Sequence, residues 1–267
     1  MPDLKKTFCV GGITVAVFGS KAGLAEAAAE KAAESIRRAI ASFGRARIVV
    51  ATGNSQIAMI DRLVRLPGIA WSVVDAFHMD EYVGLPDSHP ASFRLWLKTR
   101  FADIVKPRSM EYLNGDATDL DREILRYTML IKEQPIDLAF VGFGENGHIA
   151  FNDPAVADFD DPATVKRVAM DEACRRQQVG EGHFPDMAAV PQEALTLTCP
   201  ALLSAHTLIC SVPDRRKAQA VGAAIEGEIS TACPASIVRT HPRAFLFLDL
   251  ESASELSMEH QATLSPA

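Results

Sequence analysis

Short, uninterrupted apolar segments alternate with helical segments along most of this chain. Arg47–Ala51 is the clearest apolar segment, because every residue after the arginine is β-branched or alanine. Ala22–Ser42, just before it, is alanine-rich with interspersed charges and no proline, which is typical of a helix that covers a sheet. Strands that lack polar alternation are buried on both faces, as in parallel sheets. The alternation therefore predicts an α/β fold with a mainly parallel sheet and helices on both faces.

The other segments of the chain continue this order. A helical segment runs through Leu66, and two stretches rich in Asp, Gly and Pro, Asp153–Pro162 and Gly180–Pro191, are predicted to be loops or lids. No repeat or linker interrupts the pattern, so we expect residues 1–267 to form a single domain. The further predicted strands are Phe8–Phe18, Ile69–Phe77, Ile136–Val141, His206–Val212 and Ala244–Asp249, and the further predicted helices are Ser92–Phe101 and Asp119–Lys132.

Composition narrows the kinds of partner that such a fold could have. The chain of 267 residues is 48% hydrophobic, which is enough for a sizeable core, and its 27 Lys+Arg against 34 Asp+Glu give a net charge of -7. That sign argues against binding nucleic acid across the surface, so an anionic ligand would need a locally positive pocket. The five cysteines are scattered without a C-x-x-C pair, which favours a reduced, cytoplasmic protein. No apolar run approaches the ~20 residues of a membrane span, so no membrane partner is expected.

The first loop of interest follows the strand at Arg47–Ala51. In open parallel sheets the ligand lies beyond the carboxyl ends of the strands, so residues after Ala51, Phe77 and Val141 are expected to converge. The turn Thr52–Ser55 contains Gly53, Asn54 and Ser55, and its backbone amides and hydroxyl could hold a phosphate group. An ordinary turn in which Asn54 or Ser55 caps the next helix is the alternative.

The second loop places several ionisable groups directly after an apolar strand. It reads Phe77-His78-Met79-Asp80-Glu81-Tyr82. A carboxylate at the carboxyl end of a strand suits a general base, and Asp80 is the candidate, with a helix cap or a salt bridge as the alternative. His78 and Glu81 are interpreted as supporting residues.

The third loop, Gly142–Pro154, combines glycines with one histidine and several polar residues. Glycines allow a close approach of the backbone to a ligand, and His148 can transfer protons near neutral pH. Glu145 or Asp153 could orient its ring, as carboxylates do in many acid/base sites. A histidine with a purely structural role is the alternative.

The residue types in these loops are also compatible with two other chemistries. A metal site is not favoured, because no H-x-x-x-H or H-E-x-x-H spacing is present. A nucleophilic triad of Ser55, His148 and Asp153 is disfavoured because Ser55 lacks a G-x-S-x-G elbow. The residues that could have joined in a zinc or manganese site are His78, Asp80, Glu81, His148 and Asp153.

Five phrases along the chain resemble the glucosamine-6-phosphate deaminase family, part of a larger group that includes 6-phosphogluconolactonases. They are MDEYVGL at Met79–Leu85, HP-x-S at His89–Ser92, LNG at Leu113–Gly115, GHIAFN-x-P at Gly147–Pro154 and HP at His241–Pro242. The lactonases are similar at the glycine loop but lack the MDEY phrase, so the deaminase branch is favoured.

The resemblance implies a modified Rossmann-like fold and the conversion of glucosamine 6-phosphate and water to fructose 6-phosphate and ammonia, without a redox cofactor. It implies that Asp80 moves a proton between C2 and C1 of the opened sugar, that His148 is the acid/base of ring opening, and that Gly142 contacts the sugar through its backbone. It also implies a phosphate cradle made of Ser55, the turn amides around Gly53 and Asn54, and Lys217 from a basic stretch near the end of the chain.

The sequence departs from the family pattern beside the histidine. Asn146 stands where the family usually has an Asp, and a carboxylate appears one place earlier as Glu145. Asn146 cannot accept a proton as a base, although it could hydrogen-bond the imidazole. Asp153 replaces the usual Glu and could still polarise His148.

A second departure concerns the arginine that holds the phosphate in the family. The corresponding segment, Asp171–Phe184, contains an apparent insertion, so the alignment is lost there. Arg175 and Arg176 are candidates by charge, with surface salt bridges as the alternative, while counting back from Val190-Pro191 points to His183.

The resulting hypothesis is a deaminase/isomerase that binds a small sugar phosphate, and a homo-oligomer is compatible with it. Its alternatives are a related sugar-phosphate enzyme, either a 6-phosphogluconolactonase or an aldose-phosphate isomerase, and a non-catalytic sugar-phosphate sensor. Asp80 and His148 argue against the sensor.

Overall fold

The chain folds into strands and helices that follow one another as an α/β pattern in the computed structural model, which describes residues 3–257 and 259–260. The strands are β1 (Leu4–Val10), β2 (Ile13–Phe18), β3 (Ala46–Val50), β4 (Val74–His78), β5 (Asp80–Tyr82), β6 (Ser109–Glu111), β7 (Leu138–Val141), β8 (Val165–Ala169), β9 (Glu193–Leu197), β10 (Leu208–Val212) and β11 (Ala244–Asp249). The α-helices are α1 (Lys21–Phe43), α2 (Ile57–Leu63), α3 (Phe93–Leu97), α4 (Asp103–Val105), α5 (Leu120–Lys132), α6 (Glu172–Gly180), α7 (Cys199–Leu203) and α8 (Ala218–Glu226).

A mainly parallel sheet lies at the centre of the fold, as the sequence predicted. Its strand order is β1-β2-β11-β10-β7-β3-β4-β6, and among these neighbours only β1 and β2 pair antiparallel. Every residue of β3, β4, β7 and β10 is buried, as expected of central strands covered by helices. Helix α1 packs on this sheet through small alanine side chains, among them Ala28 and Ala32, which allow a close approach.

The sheet order places one crevice at the carboxyl ends of its central strands. From β3 the chain proceeds through β4 to the edge strand β6, whereas β7, β10 and β11 lie on the other side of β3. The direction of the strand order therefore reverses between β3 and β7. Such a switch point is where ligands bind in open α/β sheets, so the turns after these two strands define the expected site.

A second sheet of three antiparallel strands, β5-β9-β8, covers that end of the fold. Asp80, in β5, pairs with Thr196 in β9. A separate cluster of buried aromatic rings supports this sheet, with Tyr82 in contact with Phe93, Phe151 and Phe184. The sequence did not predict this sheet, because its strands are short and the segment Asp80–Tyr82 is mostly polar.

Two predicted strands differ most from the structure in their extent, while those predicted from Ile136 and His206 begin two residues later, at Leu138 and Leu208. The stretch Phe8–Phe18 is a hairpin rather than one strand, because Gly11 adopts a positive φ of 57° and Gly12 packs so closely on His241 that no side chain would fit. In Ile69–Phe77 the strand begins only at Val74, after a 3₁₀ turn at Trp71–Val73.

Several helix predictions also needed correction. The helix predicted through Leu66 ends at Leu63, and Ser92–Phe101 is an α-helix only to Leu97, after which Lys98–Ala102 forms a π-helical turn. Within Gly180–Pro191, Gly180 is the last residue of α6. Across the residues that the structure describes, no helix is both long and apolar enough to cross a membrane.

Candidate active site

One pocket lies at the carboxyl ends of β3, β4 and β7, where the switch point predicts a ligand. The sequence candidates Asp80 and His148 both line it. Residues from the basic turn before α8 and from the end of α6 close its far side. The lining residues are Ala51, Thr52, Gly53, Asn54, Ser55, Met79, Asp80, Phe93, Gly142, Phe143, Gly144, His148, Ala150, Phe151, Gln177, Gln178, Glu181 and Lys217.

Asp80 is a buried carboxylic acid at the wall of this pocket. Only 6% of its surface is exposed. Burial, together with the neighbouring carboxylate of Glu81, raises the pKa of Asp80 to about 8. A carboxyl group with a pKa near neutrality is suited to accept and return a proton during one reaction cycle.

We expect the activity of this protein to rise with pH until about pH 8. A base must be ionised to accept a proton, and the pKa of Asp80 lies at about 8, so kcat/KM should fall about tenfold per pH unit below that value. A profile of kcat/KM from acid to alkaline pH tests this. A plateau that already begins near pH 5 would show that the base titrates as an ordinary carboxylate and would contradict the assignment.

Glu81 has a structural role next to Asp80. It is fully buried, and its carboxylate accepts hydrogen bonds from the Ser92 hydroxyl at 2.8 Å and from the backbone N–H groups of Tyr82 and Arg94 at 2.9 Å each. These contacts fix the start of α3 against β5. The interpretation of Glu81 as a supporting residue agrees with this geometry.

His78 is not part of the pocket lining. It is fully buried, and its Nδ1 lies 3.4 Å from the backbone N–H of Leu113. Burial and the charge of Arg94 lower the pKa of His78 to about 3, so the ring is neutral. This environment suits packing and not proton transfer at neutral pH.

His148 also lines this pocket, and it lies against Gly144 and Asp153. Its Nδ1 is 2.9 Å from Asp153 Oδ1, and a Cβ atom at position 144 would approach the imidazole ring to 2.2 Å. Burial alone would raise the pKa of Asp153, but contacts with His148 and Asn146 hold it below its ordinary value. An ionised Asp153 can therefore orient and polarise the imidazole, as expected from the sequence.

Asn146 joins the histidine loop to the start of α6. Its Nδ2 donates hydrogen bonds to Asp153 Oδ1 and Asp171 Oδ2, both at 3.0 Å, and its Oδ1 accepts one from the backbone N–H of His148 at 3.1 Å. None of these hydrogen bonds involves the imidazole ring, so the expected bond between Asn146 and the imidazole is not formed. The amide explains the departure from the family pattern, because two carboxylates here need a shared donor that a third carboxylate could not provide.

Changing Asn146 to Asp should damage this protein and not improve it. Asn146→Asp would place a third carboxylate between Asp153 and Asp171 in place of two donated hydrogen bonds, at an expected cost of ~2–3 kcal/mol in the free energy of unfolding at pH 8. Because like charges would raise the pKa of the new carboxyl, the loss should shrink as the pH falls. Chemical denaturation of the wild type and the variant at pH 8 and pH 5 measures this loss in the free energy of unfolding.

Asn146→Ala is the matched control, since it removes the amide without adding charge. The aspartate variant should be the less stable of the two at pH 8. If it were as stable and active as the wild type, the explanation of Asn146 would be wrong.

Glu145 does not contact the histidine. Its carboxylate forms an ion pair with Arg216 at 2.7 Å, while its backbone N–H donates to Gln177 Oε1 at 2.9 Å. Of the two carboxylates that the sequence offered as partners of His148, the structure therefore brings Asp153 to the ring and directs Glu145 to Arg216.

The predicted phosphate elements line the same pocket. Gly53 has a positive φ of 90°, and Asn54 donates a hydrogen bond to the backbone carbonyl of Glu181 at 3.2 Å. Neither Asn54 nor Ser55 caps α2, so the helix-cap alternative is wrong. Lys217 is buried, and its Nζ lies 3.6 Å from Glu181 Oε1.

Gly142 lies next to this turn, as its place after β7 requires. A Cβ atom on it would come within 3.2 Å of the Ser55 hydroxyl and 3.0 Å of the Gln56 amide. The glycine therefore leaves the backbone accessible beside the turn.

The candidates for the missing arginine are not placed in the pocket lining. Arg175 donates hydrogen bonds to the carbonyls of Met187 and Val190, and Arg176 pairs with Glu172 at the surface. His183 is outside the pocket lining as well, with Nε2 3.5 Å from Glu181 Oε2. The surface salt-bridge alternative thus describes Arg176, while Arg175 fastens the loop after α6.

The metal-site candidates do not come together as a group of five. Among the described residues, the cluster of potential ligands consists of His148, Asp153 and Cys174, whose ligand atoms lie within 4.8 Å of one another. Burial, with the nearby carboxylates of Asp153 and Asp171, raises the pKa of Cys174 well above its ordinary value. Cys174 is therefore a thiol packed beneath the histidine.

Four polar residues of the site were not among the sequence candidates. Gln177, Gln178 and Glu181 come from α6 and its end, and Arg216 precedes Lys217. The signal available in the sequence was the pair of adjacent glutamines; the structure shows that both are buried on α6, where amides need partners. Gln178 Oε1 accepts a hydrogen bond from the Tyr82 hydroxyl at 2.6 Å.

Comparison with known proteins places this geometry in a family. Residues 19–246 match the family described as glucosamine-6-phosphate isomerases/6-phosphogluconolactonase. The chain belongs to this family. It is 33% identical over 214 residues to a glucosamine-6-phosphate deaminase of an Exiguobacterium species, covering 80% of this chain and 82% of that protein. It is 31% identical over 230 residues to one of Listeria monocytogenes, covering 86% and 96%.

Solved structures of the family share the fold. A monomeric glucosamine-6-phosphate deaminase superposes with a TM-score of 0.82 at 28% identity, covering 90% of this chain and 99% of that one. A 6-phosphogluconolactonase of Shewanella baltica superposes with a TM-score of 0.71 at 17% identity, covering 92% and 98%. The second likeness concerns the fold alone.

Proposed function

We propose that this family member is an amino-sugar phosphate deaminase/isomerase that converts glucosamine 6-phosphate and water to fructose 6-phosphate and ammonia. The observation that carries the proposal is that Asp80 and His148 line the same pocket as Ser55 and Lys217. Two separate proton-transfer groups and a phosphate cradle are what this reaction requires. The relatives named glucosamine-6-phosphate deaminase support the choice of reaction.

His148 opens the sugar ring in this proposal. Opening a hemiacetal needs a proton on the ring oxygen O5 and removal of the proton on the C1 hydroxyl, and an imidazole can carry out such transfers near neutral pH. Asp153, 2.9 Å from Nδ1, leaves Nε2 as the ring nitrogen that faces the substrate.

Asp80 then moves the proton that changes an aldose into a ketose. Its carboxylate removes the proton from C2 of the open-chain sugar and returns a proton to C1, while the C1 oxygen gains a proton and the nitrogen loses one, which leaves an imine at C2. Water adds to that carbon, and the C–N bond breaks to release ammonia and fructose 6-phosphate. No electrons are gained or lost in the overall reaction, so no redox cofactor is required.

The phosphate group supplies binding energy far from the reacting carbons. Ser55, the amides around Gly53 and Asn54, and Lys217 would hold it, with the backbone of Gly142 next to the sugar. Interactions with a non-reacting group can orient C1 and C2 against the two catalytic residues. This arrangement gives an acidic protein a local site for an anion.

A comparison of three substrates tests the proposed function. The protein should release ammonia from glucosamine 6-phosphate, act far more weakly on glucosamine without phosphate, and not hydrolyse 6-phosphogluconolactone. Lactone hydrolysis without ammonia release would instead identify a lactonase. Binding of the sugar phosphate without turnover of any of the three would identify a sensor.

A further inference from the structure

An acidic side chain lies against the lysine that would bind phosphate. Glu181 Oε1 is 3.6 Å from Lys217 Nζ and accepts a hydrogen bond from Gln177 Nε2 at 2.9 Å, and Glu181 Oε2 is 3.5 Å from His183 Nε2. Its side chain is only 11% exposed. A largely buried carboxylate therefore lies beside the buried lysine of the proposed phosphate cradle and offsets its charge.

The neighbouring cations are matched by carboxylates in the same way. Arg216 pairs with Glu145 at 2.7 Å, and Lys21 pairs with Asp214 at 2.9 Å. The cradle is therefore close to neutral as it stands. A dianionic phosphate beside Lys217 would meet the Glu181 carboxylate at a distance where like charges repel strongly.

The position of Glu181 in the chain allows it to move. It follows the last residue of α6 and lies between Gly180 and Gly182, and Gly182 has a positive φ of 81° with no atom near its missing Cβ. Gln177, which bonds the Glu181 carboxylate, also accepts the backbone N–H of Glu145 in the histidine loop. A displacement of Glu181 would thus break its hydrogen bond to Gln177, and Gln177 also contacts the loop that carries His148.

From these contacts we propose that Glu181 is a specificity-determining residue that competes with the phosphate group for Lys217 and must be displaced when a phosphorylated sugar binds. The proposal rests on the proposed function, in which Lys217 belongs to the phosphate cradle. Competition from Glu181 makes phosphate binding weaker than it would be if Lys217 had no carboxylate beside it. It also means that binding of phosphate in the cradle changes the position of the residue that follows α6.

Binding of inorganic phosphate, measured by calorimetry, tests this competition. Glu181→Gln keeps the size of the side chain and removes its charge, so phosphate should bind about tenfold more tightly than to the wild type. Glu172→Gln, an exposed position at the start of the same helix, is the matched control and should leave phosphate binding unchanged. Unchanged or weaker binding by Glu181→Gln would overturn the proposal.

Two more variants separate this proposal from the proposed function. Glu181→Asp retains the charge and should bind phosphate more like the wild type than like Glu181→Gln. Lys217→Met should abolish phosphate binding. If Lys217→Met does so and Glu181→Gln has no effect, the competition is refuted while the cradle stands; if Lys217→Met binds phosphate normally, both are refuted.

The kinetic counterpart of this test uses the substrate itself. The KM for glucosamine 6-phosphate should fall in Glu181→Gln by about the same factor as the dissociation constant for phosphate. The KM of Glu181→Gln for glucosamine without phosphate should stay close to that of the wild type. An equal change for both sugars would contradict a role of Glu181 at the phosphate end.

Discussion

Replacing Asp80 by Asn should reduce turnover of glucosamine 6-phosphate by about 10³-fold or more, because general bases typically contribute 10²–10⁴-fold and no other ionisable oxygen takes its place in the proposed mechanism. Asparagine preserves the size of the side chain but cannot accept the proton from C2. Inorganic phosphate should still bind, since Asp80 is not one of the residues of the proposed cradle. Steady-state kinetics and calorimetry measure the two effects.

Stability distinguishes lost chemistry from lost structure in this variant. The buried carboxyl has a pKa of about 8 instead of 3.8, so between about pH 4 and pH 8 it is protonated in the folded protein and ionised in the unfolded chain, and the free energy of unfolding falls progressively as the pH rises through this range. Asp80→Asn removes that cost and should unfold at a higher temperature than the wild type at pH 8. Asp87→Asn, at an exposed position, is the control that should change neither activity nor stability. Near-normal turnover by Asp80→Asn would refute the assignment of the base.

Replacing His148 by Gln should lower kcat by about 10²-fold or more. Glutamine fills similar space and can form hydrogen bonds, but it cannot transfer a proton to O5. Phosphate binding should persist, because His148 contributes to ring opening and not to the cradle. His206→Gln, a mostly exposed histidine, is the matched control. Unchanged kcat in His148→Gln would show that ring opening does not depend on this residue.

The main sheet and the two catalytic loops could be predicted from local patterns. Strands such as Ala46–Val50 are apolar throughout because they are buried on both faces, and that pattern is visible without any knowledge of the fold. Asp80 and His148 follow strands β4 and β7, so the topology of a parallel sheet is enough to bring them to one edge.

The second sheet and the phosphate end of the site could not be predicted in this way. Asp80–Tyr82 is too short and too polar to resemble a strand, and it is fixed by pairing with β9 more than 100 residues away. The segment around α6 could not be aligned with the family, so its candidate phosphate-binding residues could be chosen only by the sign of their charge. Sign alone favoured Arg175 and Arg176, whereas the fold brings Glu181 to the pocket and turns both arginines to other partners.

The most direct test of the central claim is to measure ammonia and fructose 6-phosphate together while the wild-type protein consumes glucosamine 6-phosphate. The account predicts equal amounts of the two products from the wild type and neither from Asp80→Asn. Stabilisation by the sugar phosphate without release of ammonia from the wild type would contradict it.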